Sequence, residues 1–171
     1  MCRWNKWLDI DNYAVIPSSP GVYRIRLIDS AGHSPVPVKR LLCQDEDGLL
    51  VIGESKDLRN RLKEFHKVTK EKTGFLRHSA GDRLLLNLIF RHISSKAFFD
   101  NKGLEVSFTK AQDKAGAQRL EELLLKVYFI QFGELPPLNN NMPDKDSKLW
   151  NKALLTLSSK CSDTTSNSPQ T

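Results

Sequence analysis

The chain predicts an α+β fold, a small antiparallel sheet of about three strands flanked by helices, and three observations lead there. Val22-Tyr23-Arg24-Ile25-Arg26-Leu27-Ile28 and Leu104 to Thr109 alternate, over part of their length, with the period of half-buried strands. Asp45-Glu46-Asp47-Gly48 is a hairpin-turn sequence leading into the apolar run Leu49 to Ile52. Short turns join strands in antiparallel fashion, because a parallel pair needs a long crossover, so the strands containing Tyr23 and Val51 are expected as antiparallel neighbours. Helical patterns fill most of the remainder.

Each element has a local reason. From Trp4 to Val15 the apolar spacing is irregular, and Pro17-Ser18-Ser19-Pro20 forces a turn, since each proline fixes its own φ and restricts the residue before it. The strand that follows places Tyr23, Ile25 and Leu27 on one face. Asp29 to Pro37 is loop-like, Val38 to Cys43 reads as a further strand, and Leu49 to Ile52 as its return. Gly53 permits a bend, and Ser55 is the expected N-cap of a helix to about Lys67 with Leu58, Leu62 and Phe65 as its apolar stripe. Asp82 to Ile93 predicts a helix capped by Asp82 and apolar over so much of its circumference that a central core position is expected. Asn101-Lys102-Gly103 turns the chain into the strand Leu104 to Thr109. A long helix, Asp113 to Phe132, ends at Gly133 with Pro136-Pro137 beyond, and a last short helix is expected from Ser147 to Leu157.

At 171 residues the chain can bury one core. The expected organisation is an N-terminal extension over residues 1–19, a domain over 20–143, a C-terminal helix over 144–157 and a disordered tail over 158–171, too poor in apolar residues to repay ordering. A net charge of +6 suits a polyanionic partner such as nucleic acid. Cys2, Cys43 and Cys161 are scattered, odd in number and without metal-ligand spacing, which predicts a reducing, cytoplasmic setting. No apolar run follows the N-terminal charges as in a signal peptide, and Leu84 to Phe90 is too short to span a bilayer, so no membrane partner is expected. No zinc finger or helix-turn-helix pattern is evident, which leaves specificity to the long segment between Tyr23 and Val51, to Thr69 to Gly81 or to a partner.

Helical spacing separates two adjacent acids. Glu122 stands one turn from Gln118 and from Lys126, an arrangement that predicts an ordinary exposed ion pair. Glu121 has Ala117, Leu124, Leu125 and Tyr128 for neighbours, so its carboxylate lies beside apolar surface, where a bound cation or a basic partner would relieve the charge. The same reasoning puts Arg61 at the edge of the apolar stripe and Arg59 and Lys63 away from it.

Gly21-Val22-Tyr23 opens one strand; Val51-Ile52-Gly53 closes another and runs straight into Glu54-Ser55-Lys56-Asp57-Leu58-Arg59-Asn60-Arg61-Leu62. With Glu121-Glu122-Leu123-Leu124-Leu125 and Pro136-Pro137-Leu138-Asn139, these segments resemble the GIY-YIG nuclease family from about Pro20 to Asn139. The resemblance implies a metal-dependent endonuclease acting on nucleic acid, DNA above all. It implies that Tyr23 positions or deprotonates the attacking water, that Arg61 contacts the scissile phosphate, and that Glu121 holds Mg²⁺ or Mn²⁺. Asn139 would help hold the site, although it stands in turn-forming sequence. His66 is the nearest match to a family position, four residues after the arginine, that Phe65 fills here. Lys56, Arg59 and Lys63 are the expected substrate contacts, joined by Lys67 and Lys70. Val51 stands where the family has its second tyrosine, which implies the alternative of a catalytically impaired nucleic-acid-binding or interaction domain. For His33, His78 and His92 the spacing predicts surface or capping roles.

Overall fold

The computed structural model describes residues 3–29, 31, 33–71, 78–90, 102–141, 150, 151 and 155. At its centre lies β2 (Gly21–Asp29), the strand of Tyr23. It pairs antiparallel with β6 (Leu49–Ser55) along one edge, with Tyr23 opposite Gly53 and Ile25 opposite Val51, and antiparallel with β7 (Lys102–Lys110) along the other. These three long strands are the expected sheet. Two more strands of two residues extend it: β1 (Leu8–Asp9) beside β7, and β3 (Ser34–Pro35), which follows β6 along the same edge of β2.

The expected hairpin between Val38 to Cys43 and Leu49 to Ile52 is replaced by a different pairing. Here β4 (Val38–Lys39) pairs with β5 (Gln44–Asp45) in a separate ribbon, while β6 is the antiparallel neighbour of β2, as expected for the strands of Val51 and Tyr23. Gly48, at φ +65°, makes the bend into β6 while Asp45 accepts hydrogen bonds from Leu49 N and from the Tyr128 hydroxyl. A turn signal states where the chain reverses; it does not state which neighbour the returning strand will choose.

The sheet is covered on both faces. Tyr23, Ile25, Val51, Leu104 and Val106 pack with Leu58, Leu62 and Phe65 of α1 (Leu58–His66), all three of which are fully buried. Each such side chain contributes about 1.5–3 kcal/mol relative to exposure. Val22 and Ile52 pack on the opposite face against Ala117, Leu125, Tyr128 and Phe132 of α3 (Lys114–Phe132), which ends, as expected, at a left-handed Gly133. The N-terminal segment, set apart in the sequence as an extension, is integral with this core: Ile10 and Ile16 are fully buried, Trp4 and Trp7 stack on Arg24, and a 3-10 helix (Ile10–Val15) lies against α1.

Two helix starts differ from expectation. Asp57, not Ser55, caps α1 by accepting from Asn60 N, because β6 remains paired with β2 as far as Ser55. Ser55 Oγ shapes the intervening turn by bonding Asp57 on both its N–H and its carbonyl. A π-helical turn (Lys67–Glu71) continues α1. Next, α2 (Ser79–Phe90) begins three residues before Asp82 and takes its cap from His78. Leu84 and Leu85 are buried but Leu86 is 45 % exposed, so α2 lies against α1 and the π turn instead of forming a central core helix. The expected end of that helix at Ile93, the Asn101 turn residue and the tail from Ser158 lie outside the described residues. Of the short C-terminal helix, Trp150, Asn151 and Leu155 are helical. Among the described residues no helix is long and apolar enough to cross a membrane.

Candidate active site

Beside β6, the start of α2, the loop at Asn139 and one side chain each from α1 and α3 enclose a pocket of about 150 Å³. Its lining includes Tyr23, Glu54, Arg61, Arg83, Glu121 and Asn139, with Val51 and Gly53 forming part of the wall. Four residues selected from the sequence, Tyr23, Arg61, Glu121 and Asn139, are therefore brought together from positions more than a hundred residues apart.

Tyr23 projects from β2 across Gly53 of the neighbouring strand. A Cβ at Gly53 would lie 2.5 Å from the phenolic oxygen and 2.6 Å from Cζ, so the ring occupies the space that only glycine leaves open. At Gly21 a Cβ would meet the Thr109 carbonyl oxygen at 2.4 Å and Leu58 Cδ1 at 2.7 Å, which fixes the close approach of β2, β7 and α1. Both motif glycines are thus explained by packing. The Tyr23 hydroxyl lies 3.2 Å from His78 Nε2. Burial raises its pKa, while the adjacent Arg61 guanidinium, through its charge and a hydrogen bond, acts the other way.

Arg61 is part exposed and stands 4.0 Å from Glu64 on its own helix. Glu121 faces the pocket, whereas Glu122 pairs with Lys126. Burial, followed by the negative charge of Glu54, pushes the Glu121 pKa up to about 7, with a hydrogen bond from the Glu54 backbone and the charge of Arg61 opposing. Glu54 itself has a buried Oε2 without a hydrogen-bond partner. The two carboxylates thus share one partly desolvated space. The Glu122–Lys126 pair departs from the exposed pair expected, because the Lys126 side chain is fully buried and lies 5.5 Å from the centre of the Trp150 ring.

Asn139 uses both ends of its amide on β6: Oδ1 accepts from Ile52 N at 3.0 Å and Nδ2 donates to Ile52 O at 2.8 Å. Together with Leu138 N donating to Leu50 O, this closes the free edge of β6 next to Gly53. Asn139 is a clamp on the site's wall. Arg83 donates to Leu138 O and lines the same pocket.

His66 is placed elsewhere. Its Nε2 lies 3.1 Å from Asp11 Oδ1 and its ring stacks near Tyr13, because one helical step beyond the buried Phe65 turns it toward the 3-10 helix. Of the expected substrate contacts, Lys56 lines a second groove, about 290 Å³, which shares Glu54 and Arg61 with the pocket and also has Asn60 and Lys114 on its walls. Arg59 is exposed, but its Nε donates to Ile16 O, tying α1 to the segment before β2. Lys63 is exposed and lines neither space.

Glu54, Arg83 and Lys114 are the residues that sequence reasoning passed over, and His78 is one it assigned only a surface or capping role. The capping role predicted for His78 is present, yet the ring is fully buried and reaches Tyr23. Glu54 carried a signal, a single acid ending an otherwise apolar strand; Arg83 and Lys114 carried none. Among the described residues no group of three or more His, Cys, Asp or Glu could hold a metal ion. Comparisons with family models, with curated proteins and with solved structures return no match.

Proposed function

We propose that this chain is a metal-dependent endonuclease of the GIY-YIG type, hydrolysing phosphodiester bonds in nucleic acid, DNA first among them. The observation that carries the reading is the convergence of Tyr23, Arg61 and Glu121 on one pocket, from a strand and two different helices. Hydrolysis needs an oriented water, positive charge against the phosphate, and neutralisation of the leaving oxygen. Tyr23 offers a phenol to orient the water, and Arg61 a guanidinium that stays charged and presents a planar fork to a phosphate. Lys56 and Lys114, in the adjoining groove, suit the flanking backbone. The exposed free thiol of Cys43 accords with a reducing, cytoplasmic setting.

A hard divalent cation such as Mg²⁺ or Mn²⁺ fits the residues present. Glu121 and Glu54 are two carboxylates in one pocket, with a buried Glu54 oxygen that has no hydrogen-bond partner, and Mg²⁺ is commonly held by one or two carboxylates with water completing its shell. Bound there, the ion would supply charge neutralisation at the phosphate.

The second reading is a binding or interaction domain that has lost turnover, and the observation favouring it is Val51, 2 % exposed, which brings no hydrogen-bonding group to the pocket wall. A nicking assay on supercoiled plasmid with Mg²⁺ or Mn²⁺ separates the two. Cleavage by the parent and its loss in Glu121→Gln, with nucleic-acid binding retained, supports the nuclease. Binding without cleavage under either metal supports the second reading in its nucleic-acid-binding form, and neither binding nor cleavage refutes the nuclease and leaves only the interaction domain.

A further inference from the structure

The phenolic oxygen of Tyr23 has two nitrogen-bearing neighbours, Arg61 and His78, and the chemistry of the second follows from a helix cap. His78 stands at the start of α2, where its Nδ1 accepts from Gly81 N at 3.3 Å and its carbonyl accepts from Asp82 N at 2.9 Å. An imidazole nitrogen that accepts a hydrogen bond carries no proton, so the proton of the neutral ring sits on Nε2. Nε2 faces the Tyr23 oxygen at 3.2 Å. The ring is held in this orientation by full burial and by an edge-on contact with Phe65, 4.9 Å between centres. Burial, with the nearby charges of Arg61 and Arg83, pushes its pKa down to about 3 against an opposing hydrogen bond to its own backbone, which keeps the ring neutral at physiological pH. Arg61, which can only donate, hydrogen-bonds the same phenol.

On the reading of this pocket as a phosphodiesterase site, we propose that His78 is a positioning residue: as the Nε2–H tautomer it donates to Tyr23 and turns the phenolic proton away from itself, into the pocket. A phenol oxygen accepts through its lone pairs and donates once, so with His78 and Arg61 both donating, its own O–H is left for water or phosphate oxygen. In this tautomer His78 takes no proton from the tyrosine. Nδ1 is committed to the cap and Nε2 already carries a hydrogen, so neither nitrogen is open to accept.

Long-range ¹H–¹⁵N NMR on the histidine-labelled chain at pH 7 reads the tautomer directly. The expected result is a neutral His78 with its proton on Nε2; a proton on Nδ1, or a doubly protonated ring, overturns the proposal. The expected tautomer supports the positioning claim even where the parent shows no cleavage, an outcome that would sink the nuclease reading alone. Two variants then divide the roles. His78→Gln keeps a donor long enough to reach Tyr23, whereas His78→Asn keeps a capping side chain too short to do so. Plasmid nicking is expected near the parent's rate for Gln, and about 10–100-fold lower in kcat with KM unchanged for Asn. The Tyr23 ¹³Cζ resonance should move in the Asn variant and stay in the Gln variant. Equal cleavage and an unmoved resonance in both would overturn the proposal.

Discussion

Glu121→Gln tests the site without relying on catalysis. In the folded chain the Glu121 carboxyl titrates at about 7 against an ordinary 4.5, raised first by burial and then by the charge of Glu54. A group whose pKa is higher folded than unfolded favours folding below the unfolded value, and that contribution is lost as pH rises through the folded one. Wild-type stability should therefore decline between pH 4.5 and about 7. At roughly 1.4 kcal/mol per pH unit, the upper bound on that loss is about 3.5 kcal/mol; since the carboxyl is only partly buried, solvent screening leaves about 1–2 kcal/mol. Gln has nearly the same shape and no charge. Without divalent metal, Glu121→Gln should match wild type near pH 4.5 and exceed it at pH 8, by about 2–8 °C in Tm for a chain of this size. Saturating Mg²⁺ or Mn²⁺ at pH 8 should raise the Tm of wild type and leave Glu121→Gln almost unmoved. Thermal unfolding followed by circular dichroism, at both pH values and with and without metal, measures all of this. A Glu121→Gln protein less stable than wild type at pH 8, or one stabilised equally by metal, would refute the assignment of Glu121 to a strained, cation-binding position.

Four further outcomes follow from the packing and charge around the site. Gly53→Ala should cost about 1–3 kcal/mol in urea unfolding, because its methyl meets the buried Tyr23 ring; Tyr23→Phe in the same background should recover part of that by removing the nearest atom, and strict additivity would refute the contact. Glu122→Gln should retain cleavage yet lose about 2 kcal/mol, more than a surface pair is worth, since its partner Lys126 is buried; an unchanged unfolding midpoint would count against this. Asn139→Ala should cost about 2 kcal/mol by leaving the Ile52 N–H and carbonyl without partners, with Asn139→Asp restoring only the acceptor half; equal stability of the two variants would argue against the clamp. Nucleic-acid affinity in a salt titration should fall linearly on logarithmic axes, with a slope reduced by Lys56→Ala and by Lys114→Ala; a flat line would exclude backbone contacts in this groove.

Much of this was legible locally. The strand period put Tyr23 on the face of Ile25 and Leu27, and Gly133 marked the end of α3, because each of these is set by geometry within a few residues; helical phase put Glu121 at the pocket but missed that Lys126, the partner of Glu122, is buried. The start of α1 was misread by two residues for a physical cause: the ladder to β2 holds Ser55 in strand conformation, a long-range constraint that cap preferences cannot report. His66 shows the same limit. Its distance from Arg61 along the helix was known, yet the 3-10 helix of residues 10–15 decided what it faces.

By itself, then, the sequence determined the α+β class and which polar residues, Tyr23, Arg61 and Glu121 among them, border the apolar faces of their elements. Only the tertiary structure decided that Gly53 stands opposite Tyr23 and makes room for its ring, and that the α2 cap delivers a buried imidazole to the phenol. Periodicity is a property of one chain segment, whereas the partner of a strand edge and the desolvation of a carboxylate depend on residues that meet only after folding.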